Sequence, residues 1–301
     1  AAMRFSTIMC QIAGIGIDQP MHGTRWAGSS NGYMLELAAF NFANPKAGVT
    51  GFRQAAIDNI LLVNFIEDVG QIVLGNGGWS GGDTASFDPA QIYIFGHSQG
   101  GLVAPIVMGV EPRIKGGVIS AGGGVIIETI LYRETLDTVD VSIRTIVADM
   151  LKLDDPLDLT ETNPVLNIVQ NCEDLTDPIN YARLINRPGN LKHILQVQGG
   201  QDPYTPRSTA ENLAVTLRLP ALFYPNVTMG YVHDGAALLT LPTLGLPINS
   251  LIDAGDGQMA TGAYALFPNS DHFPVFHQNL AKSLYQSLFS SMAGGHAPVI
   301  E

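Results

Sequence analysis

Three residues in this chain have the types needed for acyl transfer: Ser98, Asp202 and His272. A serine hydroxyl is a poor nucleophile at neutral pH. An imidazole can take its proton, and a carboxylate can hold that imidazole in the tautomer that accepts it. What matters is whether the surrounding sequence would place the three together.

Ser98 sits in Gly96-His97-Ser98-Gln99-Gly100, between an apolar run at 91–95 and a helical pattern at 102–109. A strand, a sharp turn and a helix in that order push the serine hydroxyl out above a sheet. Gly96 and Gly100 supply the small residues such a turn requires. The hydroxyl lies at the N-terminus of the following helix, whose positive end favours a developing oxyanion. The plainer reading is a glycine-rich turn with an incidental serine, and the flanking strand and helix speak against it. His97 is expected to pack or line the pocket.

Asp202 follows a run of strand character at 194–198 through Gly199-Gly200-Gln201 and leads into Pro203-Tyr204-Thr205-Pro206. The loop at the carboxyl end of a parallel strand is a usual place for a functional side chain. The competing reading is a turn cap, as Asp-Pro steps often are. Asp154, Asp174 and Asp177 match no strand end. His272 lies in Asn269-Ser270-Asp271-His272-Phe273, five residues beyond the last apolar run, 263–267, and just before the last helix. His233 is its main rival. A loop histidine alone is commonly just a surface residue, so the weight comes from the other two members.

The elements around these residues alternate between short β-rich runs and helical patterns, as in a parallel sheet with crossover helices. Residues 1–12 read as a helix, 13–17 as a buried strand, 24–50 as an extended loop and 51–69 as a helix. Residues 125–190 carry Leu, Ile and Val at helical spacing and read as an inserted cap. Residues 220–260 look irregular. Residues 274–292 read as one helix with Phe276, Leu280, Leu284 and Leu288 on its buried face. The expected organisation is a core in two parts, 1–124 and 191–301, interrupted by the helical cap 125–190.

The bulk properties narrow the rest. With 301 residues and 46% hydrophobic side chains, the chain can bury a core without staples. A net charge of −12 with no basic cluster excludes a nucleic-acid partner from the expectations. Cys10 and Cys172 could pair or remain separate thiols. Asp253-Ala254-Gly255-Asp256-Gly257 fits no calcium loop and reads as a turn. No metal or other cofactor is expected.

The segments around Ser98, Asp202 and His272, with Asp18-Gln19-Pro20-Met21-His22-Gly23, resemble the α/β-hydrolase superfamily, and more closely its bacterial esterases and lipases. The resemblance implies a doubly wound, mostly parallel sheet with a helical cap. It also implies attack by Ser98, proton transfer through His272, orientation by Asp202 and an acyl-enzyme intermediate. The backbone N–H of Gln99 would be one oxyanion donor and a second would come from a loop after the third strand. The first recognisable strand here runs into a loop of the kind that follows the fourth. The N-terminal strands are therefore expected to be missing from this chain. The 301 residues are expected to be the C-terminal portion of a longer polypeptide, with an N-terminal segment of the same precursor as partner. The alternative is that His22-Gly23 itself forms the oxyanion loop.

The expected substrate is a small-molecule or lipid ester with an apolar acyl group. Ile126, Ile127, Ile130, Leu131, Leu151, Leu153 and Leu157 could wall an acyl pocket, but for most of them the cap's own core is the preferred reading. Amide, thioester or polyester cleavage and acyl transfer are open to the same three residues, because fold does not fix substrate. A non-catalytic binding protein of this fold is the alternative from another class.

Overall fold

The computed structural model describes residues 4–8, 12–26, 38–41, 44–73, 84–134, 141–222 and 242–301. In chain order the strands are β1 (Arg4–Ile8), β2 (Ile12–Gly16), β3 (Gln71–Val73), β4 (Thr84–Ser86), β5 (Ile92–His97), β6 (Ile114–Ser120), β7 (His193–Gly199), β8 (Ala221–Leu222), β9 (Thr243–Leu244), β10 (Ile252–Asp253), β11 (Met259–Ala260) and β12 (Gly262–Phe267). The helices are α1 (Pro45–Val69), α2 (Gln99–Val110), α3 (Ile126–Tyr132), α4 (Ile143–Met150), α5 (Pro164–Glu173), α6 (Pro178–Ala182), α7 (Arg207–Thr216), α8 (Pro274–His277) and α9 (Asn279–Ala293).

Six strands form one parallel sheet in the order β5-β6-β7-β12-β8-β9. The central strands β6, β7 and β12 are buried along nearly their whole length because both faces of the sheet are covered there. Along β12, Tyr264 and Leu266 join the core beneath α1, α2 and α7, while Ala263 and Ala265 join the core beneath α9. This alternation is what a doubly wound sheet requires. Among the described residues β5 lies at one edge of the sheet.

Residues 126–182 contribute helices, and these have a core of their own: Ile127, Ile130, Leu131, Ile143, Leu159 and Leu166. Three of the suggested acyl-wall residues, Ile127, Ile130 and Leu131, are thus inside that core. Asp177, just before α6, ties that helix to the start of α3. Its carboxylate accepts hydrogen bonds from the N–H groups of Val125, Ile126 and Ile179 and from Gln170 Nε2.

Glu173, only 4% exposed, lies nearby at the end of α5. Burial, and then the charge of Asp177, push its pKa up to about 7. The folded state therefore holds a proton that the unfolded chain releases in the ordinary carboxylate range, so stability declines as pH rises toward 7. Glu173→Gln should match the parent at pH 4 and exceed it at pH 8 by roughly 2–3 kcal/mol, a few degrees of Tm. Thermal unfolding of both proteins across that range checks this. A pH-independent difference would contradict it.

Several sequence expectations are corrected. Residues 1–12 are not a helix, because Arg4–Ile8 is a strand paired antiparallel with Ile12–Gly16. β2 is not buried at any position. The first long helix begins at Pro45, not 51, because a proline at the first helical position is already set for helix. The last helix is broken at Gln278, whose backbone is extended (φ −90, ψ 121). Phe276 and Leu280 are consequently 48% and 39% exposed, while Leu284 and Leu288 are buried. The 253–257 segment is the turn between β10 and β11, with Asp253 Oδ1 accepting the Gly255 N–H. His233 and Cys10 lie outside the described residues, and Cys172 is an exposed free thiol.

Candidate active site

Ser98 joins β5 to α2 with φ 55 and ψ −119, a conformation that a residue with a side chain adopts only when the surroundings enforce it. The enforcement is visible. The Ser98 N–H donates to Ser120 O at 2.9 Å, and Ser98 O accepts the Leu102 N–H at 3.2 Å. A Cβ on Gly96 would stand 2.1 Å from Gly100 O, so only glycine lets the returning helix pass the strand. At Gly100 the nearest atom to such a Cβ is Gln19 Nε2 at 3.6 Å. The second tight position is instead Gly101, against Ser120 O. Gln99 is the first residue of α2, so its N–H precedes any intrahelical partner.

Asp202 and His272 stand on neighbouring loops, after β7 and β12. A Cβ on Gly199 would fall 1.8 Å from Asp271 O, so glycine is what allows the two loops to touch. The Gly200 N–H donates to Phe267 O and the Gln201 N–H to Ser270 O, locking the loops together. The result is a 2.7 Å contact between His272 Nδ1 and Asp202 Oδ2. A carboxylate only accepts, so Nδ1 carries the proton and Nε2 keeps its lone pair. The Asp202 side chain is 0% exposed and that of His272 6%. Asp202 Oδ1 accepts the N–H groups of Tyr204 and Thr205, and Oδ2 also accepts from Gln198 Nε2. Asp202 thus caps the turn and holds the histidine, and the two readings of it are compatible.

Ser98 and His272 both line a single cavity of about 580 Å³. A parallel sheet with a strained serine between strand and helix, then an aspartate and a histidine on the loops after two later strands, decides the architecture. This is an α/β-hydrolase fold.

The hydrolase-fold cavity is also lined by Ile17, Asp18, Gln19 and His22, from the loop after β2. That loop is pinned from within, since Asp18 Oδ2 accepts both the N–H and the hydroxyl of Thr24. His97 sits beside His272 with ring centres 4.8 Å apart, its Nδ1 3.0 Å from Ser120 Oγ. Burial first, then the neighbouring His272, push its pKa down to about 4, against the opposing pull of Asp202, so the ring is neutral at neutral pH. The Tyr204 ring also packs against His272, with ring centres 5.0 Å apart. Sequence reasoning missed Gln198, Tyr204 and Arg133 as parts of this region. Gln198 and Tyr204 lie four residues before and two residues after Asp202, on the same strand and loop, whereas Arg133 comes from another element and has no spacing signal. Among the described residues no group of three His, Cys, Asp or Glu side chains could hold a metal ion.

No protein-family model matches the sequence, and no curated protein matches it in sequence. Among solved structures it is similar to acetyl xylan esterase 1 from Thermoanaerobacterium sp., at 14% identity over 88% of this chain and 59% of that one, with a TM-score of 0.46. It is also similar to Pyrococcus horikoshii acylaminoacyl peptidase (13%, 68% and 24%, TM-score 0.38). A hydrolase from Pseudomonas aeruginosa is a third (14%, 77% and 68%, TM-score 0.33). The chain spans less than two thirds of the length of the esterase and about a quarter of that of the peptidase. The fold assignment rests on the sheet and the elbow, not on these likenesses.

Proposed function

We propose that the protein hydrolyses carboxylic esters through an acyl-enzyme on Ser98. The observation that carries this reading is the His272–Asp202 hydrogen bond at 2.7 Å beside a cavity that Ser98 and His272 share. In this mechanism Nε2 of His272 takes the hydroxyl proton as Ser98 Oγ attacks the ester carbonyl. The Gln99 N–H, at the positive end of α2, stabilises the oxyanion. Collapse of the tetrahedral adduct expels the alcohol, which receives the proton from His272. Water then repeats the sequence against the acyl-enzyme, releasing the acid and restoring Ser98. Asp202 keeps the accepting nitrogen facing the serine throughout.

The test is a fluorophosphonate reaction followed by peptide mass spectrometry, together with p-nitrophenyl acetate, p-nitrophenyl octanoate and a p-nitroanilide as substrates. One adduct on the peptide holding Ser98, with ester turnover and a much slower anilide, is the expected result. Labelling with only anilide cleavage would move the assignment to an amidase. Absence of both labelling and turnover would end the hydrolase reading.

A further inference from the structure

Hydrolysis as written above uses one oxyanion donor, the Gln99 N–H, and the cavity holds a side chain able to supply another. Gln19 lines the same cavity as Ser98, Gln99 and Gly100. Its amide reaches the first turn of α2, where Gln19 Nε2 is the nearest atom to a Cβ placed on Gly100, at 3.6 Å. That is an ordinary contact distance. Packing of the elbow therefore does not require glycine at 100, and the space left there lies against the amide. Oε1 of Gln19 is buried without a hydrogen bond, and among the described residues no hydrogen bond engages Nε2. Leaving both ends of an amide unpaired is costly unless a ligand supplies a partner.

The backbone around Gln19 is fixed. Arg25 Nη1 donates to Asp18 O at 3.0 Å and is ion-paired with Asp58 on α1. The His22 N–H donates to Gln19 O at 3.0 Å, and His22 Nδ1 donates to Pro20 O at 3.0 Å. The His22 N–H is thus spent within the loop, whereas the Gln19 amide is not. From this geometry we infer that Gln19 is a further catalytic residue, whose Nε2–H donates to the oxyanion of the tetrahedral adduct on Ser98 beside the Gln99 N–H. The inference rests on the hydrolase reading above. A donor already in place needs no reorganisation as charge develops on the carbonyl oxygen. It strengthens with that charge, so its loss falls on kcat and not on KM.

The test measures kcat and KM on p-nitrophenyl acetate for the wild type, Gln19→Ala and Gln19→Glu. Inhibition by 1,1,1-trifluoroheptan-2-one, which forms a tetrahedral oxyanion adduct on a reactive serine, is measured alongside. In Gln19→Ala kcat should fall about 10²–10³-fold with KM nearly unchanged, and the ketone should lose affinity by a similar factor. Gln19→Glu keeps the size of the side chain but presents a charged acceptor at neutral pH, so it should be impaired at least as much. Both variants should melt near the wild-type temperature, because no hydrogen bond of the side chain is lost. Variants that keep kcat and ketone affinity within about threefold of the wild type overturn the inference and spare the hydrolase reading. A raised KM at unchanged kcat also overturns it, since Gln19 would then hold the ground state. If Gln19→Ala does not fold, Gln19→Glu decides, and loss of fold in both assigns Gln19 to the loop's structure and overturns the inference. A wild type that neither turns over the ester nor reacts with the fluorophosphonate ends the hydrolase reading, and this inference with it.

Discussion

Ser98→Ala should lower ester turnover by at least about 10⁴-fold while leaving the protein folded. The loss is large because alanine removes the atom that forms the acyl bond. The fold should survive because the elbow is held by its backbone. The Ser98 N–H to Ser120 O hydrogen bond, the Ser98 O to Leu102 N–H hydrogen bond and the tight Gly96 approach involve no side-chain atom of Ser98. The strained φ of 55 gives a second, sharper expectation. Ser98→Gly should be as inactive as the alanine variant but more stable than the wild type, by about 1 kcal/mol or more, because glycine does not resist that conformation. Initial rates on p-nitrophenyl acetate and chemical denaturation of the three proteins check both statements. Turnover of Ser98→Ala within tenfold of the wild type would remove Ser98 from the chemistry. A glycine variant less stable than the wild type would mean that the serine side chain, not the backbone, holds the turn.

Asp202→Asn should cost about 10⁴-fold in kcat through a different route. Asparagine can keep Oδ1 as acceptor for the Tyr204 and Thr205 N–H groups, so the turn survives. At the Oδ2 position it presents an NH₂ group to His272 Nδ1 and to Gln198 Nε2, both of which the carboxylate had accepted from. His272 must then move its proton to Nε2, and the nitrogen near the serine loses its lone pair. The Gln198 contact becomes donor against donor and adds roughly 1–2 kcal/mol of destabilisation. Rates measured from pH 6 to 9, with urea unfolding alongside, separate the two effects. A variant destabilised by that amount yet retaining turnover within tenfold would leave Asp202 as a turn cap alone.

The features legible in the sequence were those set by neighbours along the chain. A five-residue apolar run, two glycines around a serine and a helical run specify a strand, turn and helix through local sterics, and β5, Ser98 and α2 follow that pattern. The parallel sheet was legible because strands covered on both faces are mostly apolar, as β12 is; β7 departs from this only through His193 and the buried Gln196 and Gln198. Where local pattern is ambiguous, the partner decided. Phe5, Thr7 and Ile8 become a strand because Ile12–Gly16 pairs with them, and that pairing has no counterpart in helical periodicity. The long final helix breaks at Gln278, and this exposes Phe276 and Leu280, which helical spacing alone would have buried.

The meeting of Asp202 with His272, 70 residues apart, was guessed from their order along the chain. It is achieved by two loops in contact where Gly199 leaves room for Asp271 O. Arg133 was invisible to sequence reasoning for the same reason. Its place in the cavity wall depends on how α3 packs against α4, α5 and α7, which buries Ile127, Ile130 and Leu131 and brings the guanidinium to the Tyr204 ring. Sequence determines which faces of an element are apolar. Only packing determines what each remaining polar face is turned toward, because that depends on contacts between residues far apart in the chain.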